Sequence, residues 1–187
     1  MAKIPYPEVN DIPASVRALL DARPPRNVFR MLAHATSLMP GIMELTGAIL
    51  YRAKLDPVSR ELLILRVGHL CGSSYEVQQH RKIARAVGLS QEKIDGTAAE
   101  ADAGIYSERE LAILRLTEQV VRQVKADDAV LASVEAAFGH EQLVEILVII
   151  GTYIMLAAVL ENTGVELEEG GGPAQQDVET IFRSQSR

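Results

Sequence analysis

Apolar residues recur every three or four positions along most of this chain, and the strict alternation of apolar and polar residues that is typical of strands never persists. The pattern therefore predicts an all-α fold. The first predicted helix starts near Pro13, the second runs from Arg26 to Ser37, and a third, separated from the second by Pro40, ends near Arg52. The remaining predicted helices run from Asp56 to Leu70, Ser73 or Ser74 to Ala86, Ser90 to Ala98, Ser107 to Val124, Asp127 or Asp128 to Gly139, and Glu141 to Asn162.

Several helix ends carry specific signals. Asp56 followed by proline is typical of an N-cap with a first-turn proline, and Ser107 with Glu110 has the spacing of a capping box. Gly88 is placed as the C-terminal cap of the helix that ends at Ala86. These signals fix the helix boundaries more tightly than hydrophobic periodicity does.

The segment from Leu143 to Leu160 is almost continuously apolar, but it contains Glu145 and lacks basic flanks. We therefore interpret it as a buried central helix rather than a membrane span. A helix that is apolar all round needs neighbours on every side, and a domain of this size supplies few of them. Contacts between subunits of an oligomer are expected to cover the remainder.

The length of 187 residues, with no internal repeat, predicts one domain with a substantial core. We assign residues 1–170 to it and residues 171–187 to a Gly-rich linker and C-terminal tail. The stretch from Asp177 to Arg183 could form a short terminal helix.

Composition excludes several classes of partner. The 25 acidic residues outnumber the 19 basic ones, and no Lys/Arg block is present, so neither nucleic acid nor a membrane surface is an expected partner. A single Cys can form neither an internal disulfide nor a Cys-x-x-Cys pair. The N-terminus lacks the apolar core of a signal peptide. We expect a cytoplasmic protein.

Glu61 is the first candidate for chemistry, because it interrupts a run of leucine and isoleucine. Burial would raise the pKa of its carboxyl group and make it a plausible acid or base near neutral pH. The alternative is that Glu61 faces water near the start of its helix, where a negative charge suits the helix dipole.

Ser73, Glu76 and His80 share one stripe of the next helix. Glu76 and His80 are four residues apart and can form a hydrogen bond, which raises the pKa of the histidine and orients its ring, as in a general acid or base with its orienting carboxylate. The spacing of Ser73 and Glu76 equally fits a capping box, which would leave His80 as an ordinary residue of an amphipathic helix.

Neighbouring residues between His69 and Tyr75 complete the candidates. Cys71 is a possible thiol nucleophile if the following helix lowers its pKa, although a lone cysteine is more often inert. Ser73 and Ser74 begin that helix, whose free N–H groups could bind a substrate carboxylate. Tyr75 and His69 could join a proton relay.

The segment ELLILRVGHLCGSSYEVQQH, from Glu61 to His80, resembles the carboxymuconolactone decarboxylase and alkylhydroperoxidase D-like superfamily. The resemblance extends more weakly from NVFRMLAHATSLMPG, beginning at Asn27, to ENTGVELEE, ending at Glu169. It implies a helical bundle that assembles as a homo-trimer or homo-hexamer.

In the redox branch of that family, a glutamate and a histidine flank a Cys-x-x-Cys pair. They correspond here to Glu61 and His80, but Ser73 and Glu76 stand where the two cysteines would be. Peroxide reduction by that branch needs one thiol to attack and another to resolve, so the resemblance implies that the redox cycle is absent.

The decarboxylase branch, which lacks the cysteine pair, implies acid and base side chains in the same cavity. We expect a cofactor-free, metal-free enzyme acting on a small carboxylated or lactone metabolite. The resemblance suggests His80 as the acid with help from Glu76, Glu61 as base or orienting group, and Tyr75 as a second donor. Alternatives are a thiol peroxidase using Cys71, a non-catalytic small-molecule binding protein, and a weaker metal site on the two glutamates and the histidine.

Overall fold

A computed structural model of the chain describes residues 2–22, 25–101 and 104–168. Within these ranges it contains helices and no strands, which confirms the predicted all-α class. A 3₁₀ turn at Val9–Asp11 precedes eight α-helices: α1 (Ala14–Asp21), α2 (Asn27–Leu32), α3 (Met39–Tyr51), α4 (Pro57–Leu70), α5 (Ser74–Ala86), α6 (Gln91–Gly96), α7 (Glu108–Gln123) and α8 (Asp128–Thr163). The predicted terminal helix and the tail at 171–187 lie outside the described residues.

The cap signals locate the helix ends correctly. The Asp56 side chain accepts a hydrogen bond from the backbone N–H of Ser59, with a proline at the first helical position. Ser107 and Glu110 form the predicted capping box at the start of α7. Gly139 has φ 74° and interrupts α8 where the sequence predicted that one helix stops and another begins.

Two boundaries differ from the prediction. Helix α2 ends at Leu32 rather than Ser37, and the chain then makes turns up to α3. Pro40 does not precede α3 but lies inside its first turn. A proline is tolerated there because the first N–H groups of a helix have no carbonyl partner within the helix.

The described residues form two compact units. One comprises the described parts of Met1–Arg52 and Ala158–Arg187. In it, the backbone N–H of Asn27 donates to Glu168 Oε1 at 2.6 Å, and that of Lys3 donates to the Thr163 carbonyl at 2.8 Å. The prediction of a single domain over residues 1–170 stays a prediction.

The other unit, Ala53–Ala157, is built around α4, which packs against α5, α6 and α7. Every residue of α4 from Ser59 to Gly68 is buried. That includes charged residues, and burying a charge is costly unless a partner compensates it. The charged side chains of α4 therefore show where this unit keeps polar groups in its interior.

Helix α8 is only partly the buried central helix that we expected. Among the described residues it is the one helix long and apolar enough to cross a membrane, but half of its most apolar window is buried, and core helices of soluble proteins pass the same test. Its exposed apolar residues include Val144, Val148 and Met155. The helix of this unit that is buried along most of its length is instead α4, from Ser59 to Gly68.

Candidate functional site

A tight turn between α4 and α5 brings the candidate residues together. Gly72 has φ 67°, a conformation that costs glycine little, and the backbone N–H of Ser73 donates to the Gly68 carbonyl at 2.8 Å. A Cβ added at Gly68 would lie 3.0 Å from the Val77 side chain, so the two helices approach closely here. This close approach allows Glu61 on α4 to reach His80 on α5.

Glu61, Glu76 and His80 converge on one buried cluster. Nδ1 of His80 donates to Oε2 of Glu61 at 2.6 Å, and Nε2 of His80 lies 3.4 Å from Oε2 of Glu76. Glu61 is 0% exposed, Glu76 5% and His80 7%. The imidazole therefore lies between two carboxylates, one from each helix.

Two further residues, which the sequence analysis did not select, complete the cluster. Nε of Arg60 donates to Oε1 of Glu61 at 3.1 Å, and the Arg60 side chain is 1% exposed. The ring of Tyr153, on α8, meets the His80 ring edge-on, with centroids 5.1 Å apart and an interplanar angle of 85°. The adjacency of Arg60 to Glu61 could have indicated the ion pair. Tyr153 is the only aromatic residue between Leu143 and Leu160, but its place in the sequence does not show that its ring meets His80.

The electrostatics of the cluster favour a protonated histidine. Burial alone would lower the pKa of His80, but the charges of Glu61 and Glu76 and their hydrogen bonds outweigh burial and raise that pKa to about 9. Burial alone would raise the pKa of Glu61, yet His80 and Arg60 together hold it below its ordinary value. At neutral pH the cluster thus contains an imidazolium bonded to a carboxylate.

Two interpretations of Glu61 are corrected by this geometry. The prediction that the pKa of its carboxyl group is raised is wrong in sign, because two cations contact the carboxylate and together outweigh the effect of burial. The alternative, in which Glu61 faces water, is also wrong because the residue is completely buried.

The capping-box alternative for Ser73 and Glu76 is wrong as well. Ser73 is the N-cap of α5, but its side chain makes no capping hydrogen bond. Its hydroxyl oxygen is buried and has no hydrogen-bond partner among the residues that the structure describes, while Glu76 turns toward His80. The exposed Ser74 is the first residue of the helix.

Cys71 does not have the environment of an activated thiol. It is the half-buried C-cap residue of α4, and burial raises the pKa of its thiol, opposite to the lowering that the helix start could have produced. The pKa of the nearby His69 is lowered by burial and by the charges of Arg81 and Arg66, so this imidazole is neutral at pH 7. Tyr75 is buried in the first turn of α5, and its role as a proton donor stays a prediction.

Residues 2–22, 25–101 and 104–168 include no group of three or more His, Cys, Asp or Glu side chains arranged to hold a metal ion. The Glu61, Glu76 and His80 cluster accordingly differs from the metal site that the sequence left open. Both ring nitrogens of His80 already face carboxylate oxygens. A ligating histidine would instead present one unprotonated nitrogen to the metal.

Comparisons with known proteins relate part of the chain to one family. Residues 37–119, which contain the whole α4–α5 cluster except Tyr153, match the carboxymuconolactone decarboxylase family. An uncharacterised Bacillus subtilis (strain 168) protein, YdfG, is 26% identical over 101 residues, which cover 53% of this chain and 69% of the relative.

Two solved structures share the fold. An alkylhydroperoxidase AhpD core, an uncharacterised peroxidase-related protein from Ralstonia eutropha JMP134, superposes with a TM-score of 0.75 at 19% identity, over 90% of this chain and 93% of that one. An Agrobacterium tumefaciens protein of unknown function, linked by its name to antioxidant defence and AhpD, gives a TM-score of 0.68 at 22% identity, over 77% and 96%. Residues 37–119 thus resemble the carboxymuconolactone decarboxylase family, and the fold of the chain is the one seen in these alkylhydroperoxidase D-like structures.

Proposed function

We propose that the protein is a cofactor-free acid–base enzyme that acts on a small carboxylated or lactone metabolite, in the manner of a decarboxylase. The observation that carries the proposal is the 2.6 Å bond between His80 Nδ1 and Glu61 Oε2 in a buried environment. A histidine with a pKa of about 9 is protonated at neutral pH and can therefore act as a general acid.

The proposed reaction needs that acid after carbon dioxide has left. Cleavage of the bond to the substrate carboxylate leaves its electron pair on carbon as an enolate. The imidazolium of His80 then donates its proton to that carbon, and water returns a proton to the imidazole. A positioned acid contributes about 10²- to 10⁴-fold in rate. Nε2 is the suitable donor, since its 3.4 Å separation from Glu76 is looser than the bond of Nδ1 to Glu61.

The remaining residues have supporting roles in this proposal. Glu61 orients the imidazole and keeps it charged, and Glu76 shares that task from the second nitrogen. The unpartnered hydroxyl of Ser73, with the N–H groups that begin α5 at Ser74, would bind a substrate carboxylate. Tyr75 is the second proton donor in the proposal.

Turnover of carboxymuconolactone by wild-type protein and by Cys71→Ala tests the proposal against a thiol mechanism. The names of two structural neighbours point to peroxide chemistry, but the thiol of this chain has a raised pKa. We expect release of carbon dioxide from carboxymuconolactone by the wild type and a rate within about twofold for Cys71→Ala, because surface or partly buried side chains outside the chemistry change little.

Peroxide consumption is measured in the same samples with an external reductant. Rapid consumption that disappears in Cys71→Ala, together with no release of carbon dioxide by the wild type, would overturn the decarboxylase proposal in favour of the thiol peroxidase.

We further propose that the protein assembles as a homo-trimer or homo-hexamer through α8. Val144, Val148, Gly151 and Met155 are exposed at alternating spacings of four and three residues. That spacing forms a continuous apolar stripe, which suits packing against another helix. Such a stripe on a soluble chain is expected to be covered by a copy of itself.

Replacing Val148 with glutamate is expected to lower the molar mass in light scattering from that of an oligomer toward that of the 20.4 kDa chain, because a charge at the centre of an apolar interface is desolvated. Val124→Glu is the matched control, since Val124 is 84% exposed but lies at the end of α7. An unchanged mass for Val148→Glu, or a monomeric wild type, contradicts this assembly.

A further inference from the structure

The guanidinium of Arg60 is buried next to the site but is not required by the acid–base step itself. Arg60 and Glu61 are consecutive residues of α4, and consecutive helical side chains ordinarily point in different directions. Here the long Arg60 side chain returns so that its Nε lies 3.1 Å from Glu61 Oε1. Both side chains are at most 1% exposed, so this ion pair is held out of water.

The two oxygens of Glu61 have different partners. Oε1 accepts from Arg60 and Oε2 accepts from His80, so the carboxylate links the guanidinium to the imidazole. The groups that face His80 are Glu61 from α4, Glu76 from α5 and the edge of the Tyr153 ring from α8. Arg60 is linked to the histidine through Glu61.

The charges explain what this link achieves. Arg60 and protonated His80 contribute two positive charges, and Glu61 and Glu76 contribute two negative ones, so the buried set is neutral. Without Arg60 the set would carry a net negative charge in a medium that solvates charge poorly. Such a set takes up a proton readily, and the carboxylate that has lost its cation is the place for it.

We propose that Arg60 is a positioning residue. It keeps Glu61 ionised and thereby preserves the pair of the His80 imidazolium and the Glu61 carboxylate at mildly acidic pH. The role of Arg60 in catalysis rests on the proposed function, whereas its effect on the protonation of Glu61 and His80 does not. A neutral Glu61 would no longer attract the proton of His80 or fix the ring through a charge-assisted bond.

The test is a pH titration of ¹⁵N-histidine-labelled protein by NMR, with no substrate present. The chain has four histidines, and the His80 signals are assigned by their absence in His80→Gln. Protonation of Glu61 changes the ¹⁵N chemical shift of His80 Nδ1, because the two groups are hydrogen-bonded. In Arg60→Met we expect this acid transition to move upward by about 1 pH unit or more, while Arg60→Lys, which retains the charge, stays within about 0.5 unit of the wild type.

Arg66→Met is the matched control. Arg66 is a second buried arginine of α4, but it donates to the Thr97 carbonyl at 2.9 Å and to Glu118 at 2.6 Å. We expect this variant to be less stable without moving the His80 transition. An Arg60→Met transition at the wild-type position, or an equal shift in Arg66→Met, overturns the proposal.

A second measurement covers the case in which Arg60→Met does not fold. Melting temperatures are compared for Arg60→Met alone and in the Glu61→Gln background. If Arg60 acts by compensating the charge of Glu61, then its replacement lowers the melting temperature of the wild type much more than that of Glu61→Gln. Equal losses overturn the proposal. Because neither measurement uses turnover, absence of decarboxylation would contradict the proposed function and leave the role of Arg60 to be decided by these results.

Discussion

Replacing Glu61 with glutamine is expected to reduce kcat/KM for carboxymuconolactone by about 10²- to 10⁴-fold, the contribution of a positioned general acid. Glutamine preserves the size of the side chain but removes the charge that outweighs burial at His80. With only Glu76 left to oppose burial, the pKa of His80 falls and less of the imidazole is protonated at neutral pH. The measurement is turnover against pH, combined with the ¹⁵N shifts of His80.

Glu118→Gln is the control for this experiment. Glu118 also accepts a hydrogen bond from an arginine of α4, Arg66 at 2.6 Å, but that pair is separate from His80 in the hydrogen-bond network. We expect its kcat/KM to remain within a few fold of the wild type. Loss of turnover in Glu61→Gln with retained binding of the lactone would argue against a mere binding protein. If Glu61→Gln turns over like the wild type, then the proposed catalytic role of the pair is wrong.

The wild-type protein is expected to lose stability as the pH rises through about 9, by about 3 kcal/mol more than His80→Gln does. The pKa of His80 is raised from 6.5 to about 9 in the folded chain. A raised pKa contributes stability that is fully present below the unfolded value of 6.5 and lost as the folded group deprotonates. The contribution therefore disappears between about pH 6.5 and 9.

The stability that Glu61 contributes is lost as the pH falls, whereas that of His80 is lost as the pH rises. Its pKa is lowered by His80 and Arg60 against the effect of burial, so its contribution is present above the ordinary value of 4.5 and lost as the pH falls through the folded value. Calorimetric melting from about pH 3 to 10 measures both the acid and the alkaline loss of stability. The difference in stability between wild type and His80→Gln isolates the loss at alkaline pH. If the stabilities of the two proteins change with pH in parallel, then His80 does not have a raised pKa.

Much of the helical framework follows from local chemistry. Asp56, Ser107 and Gly139 act through side-chain caps or glycine conformation, which depend on residues only a few positions away. The end of α2 was less predictable. Apolar periodicity continues beyond Leu32, but the chain turns there, which is a matter of tertiary packing that a local pattern does not contain.

The membership of the candidate cluster was predictable in part. The spacing of Glu76 and His80 indicated their pairing, and the resemblance to the superfamily indicated Glu61. The sign of the pKa shift at Glu61 was not predictable from burial alone. It depends on whether the neighbouring Arg60 turns inward or outward, and only the folded chain determines that.

The apolar content of α8 was read correctly, but its placement was not. An unbroken apolar sequence does not show which side of a helix its own chain covers, because every side looks alike. Tyr153 differs from its neighbours there as the only aromatic residue between Leu143 and Leu160, but its contact with His80 cannot be read from the sequence. Residues whose importance comes from a partner on another helix carry no local signal.

The turn between α4 and α5 and the start of α5 carry no cysteine at positions 73 and 76. Ser73 and Glu76 occupy the two positions at which the redox branch of the superfamily that this chain resembles carries cysteine, and the described groups that contact His80 are carboxylates and an aromatic ring. In the proposed acid–base function, such a centre would have no disulfide to regenerate between turnovers and would draw no electrons from an auxiliary reductase. Its rate should thus be indifferent to the thiol poise of its surroundings, so that dithiothreitol and mild oxidants alike leave it unchanged.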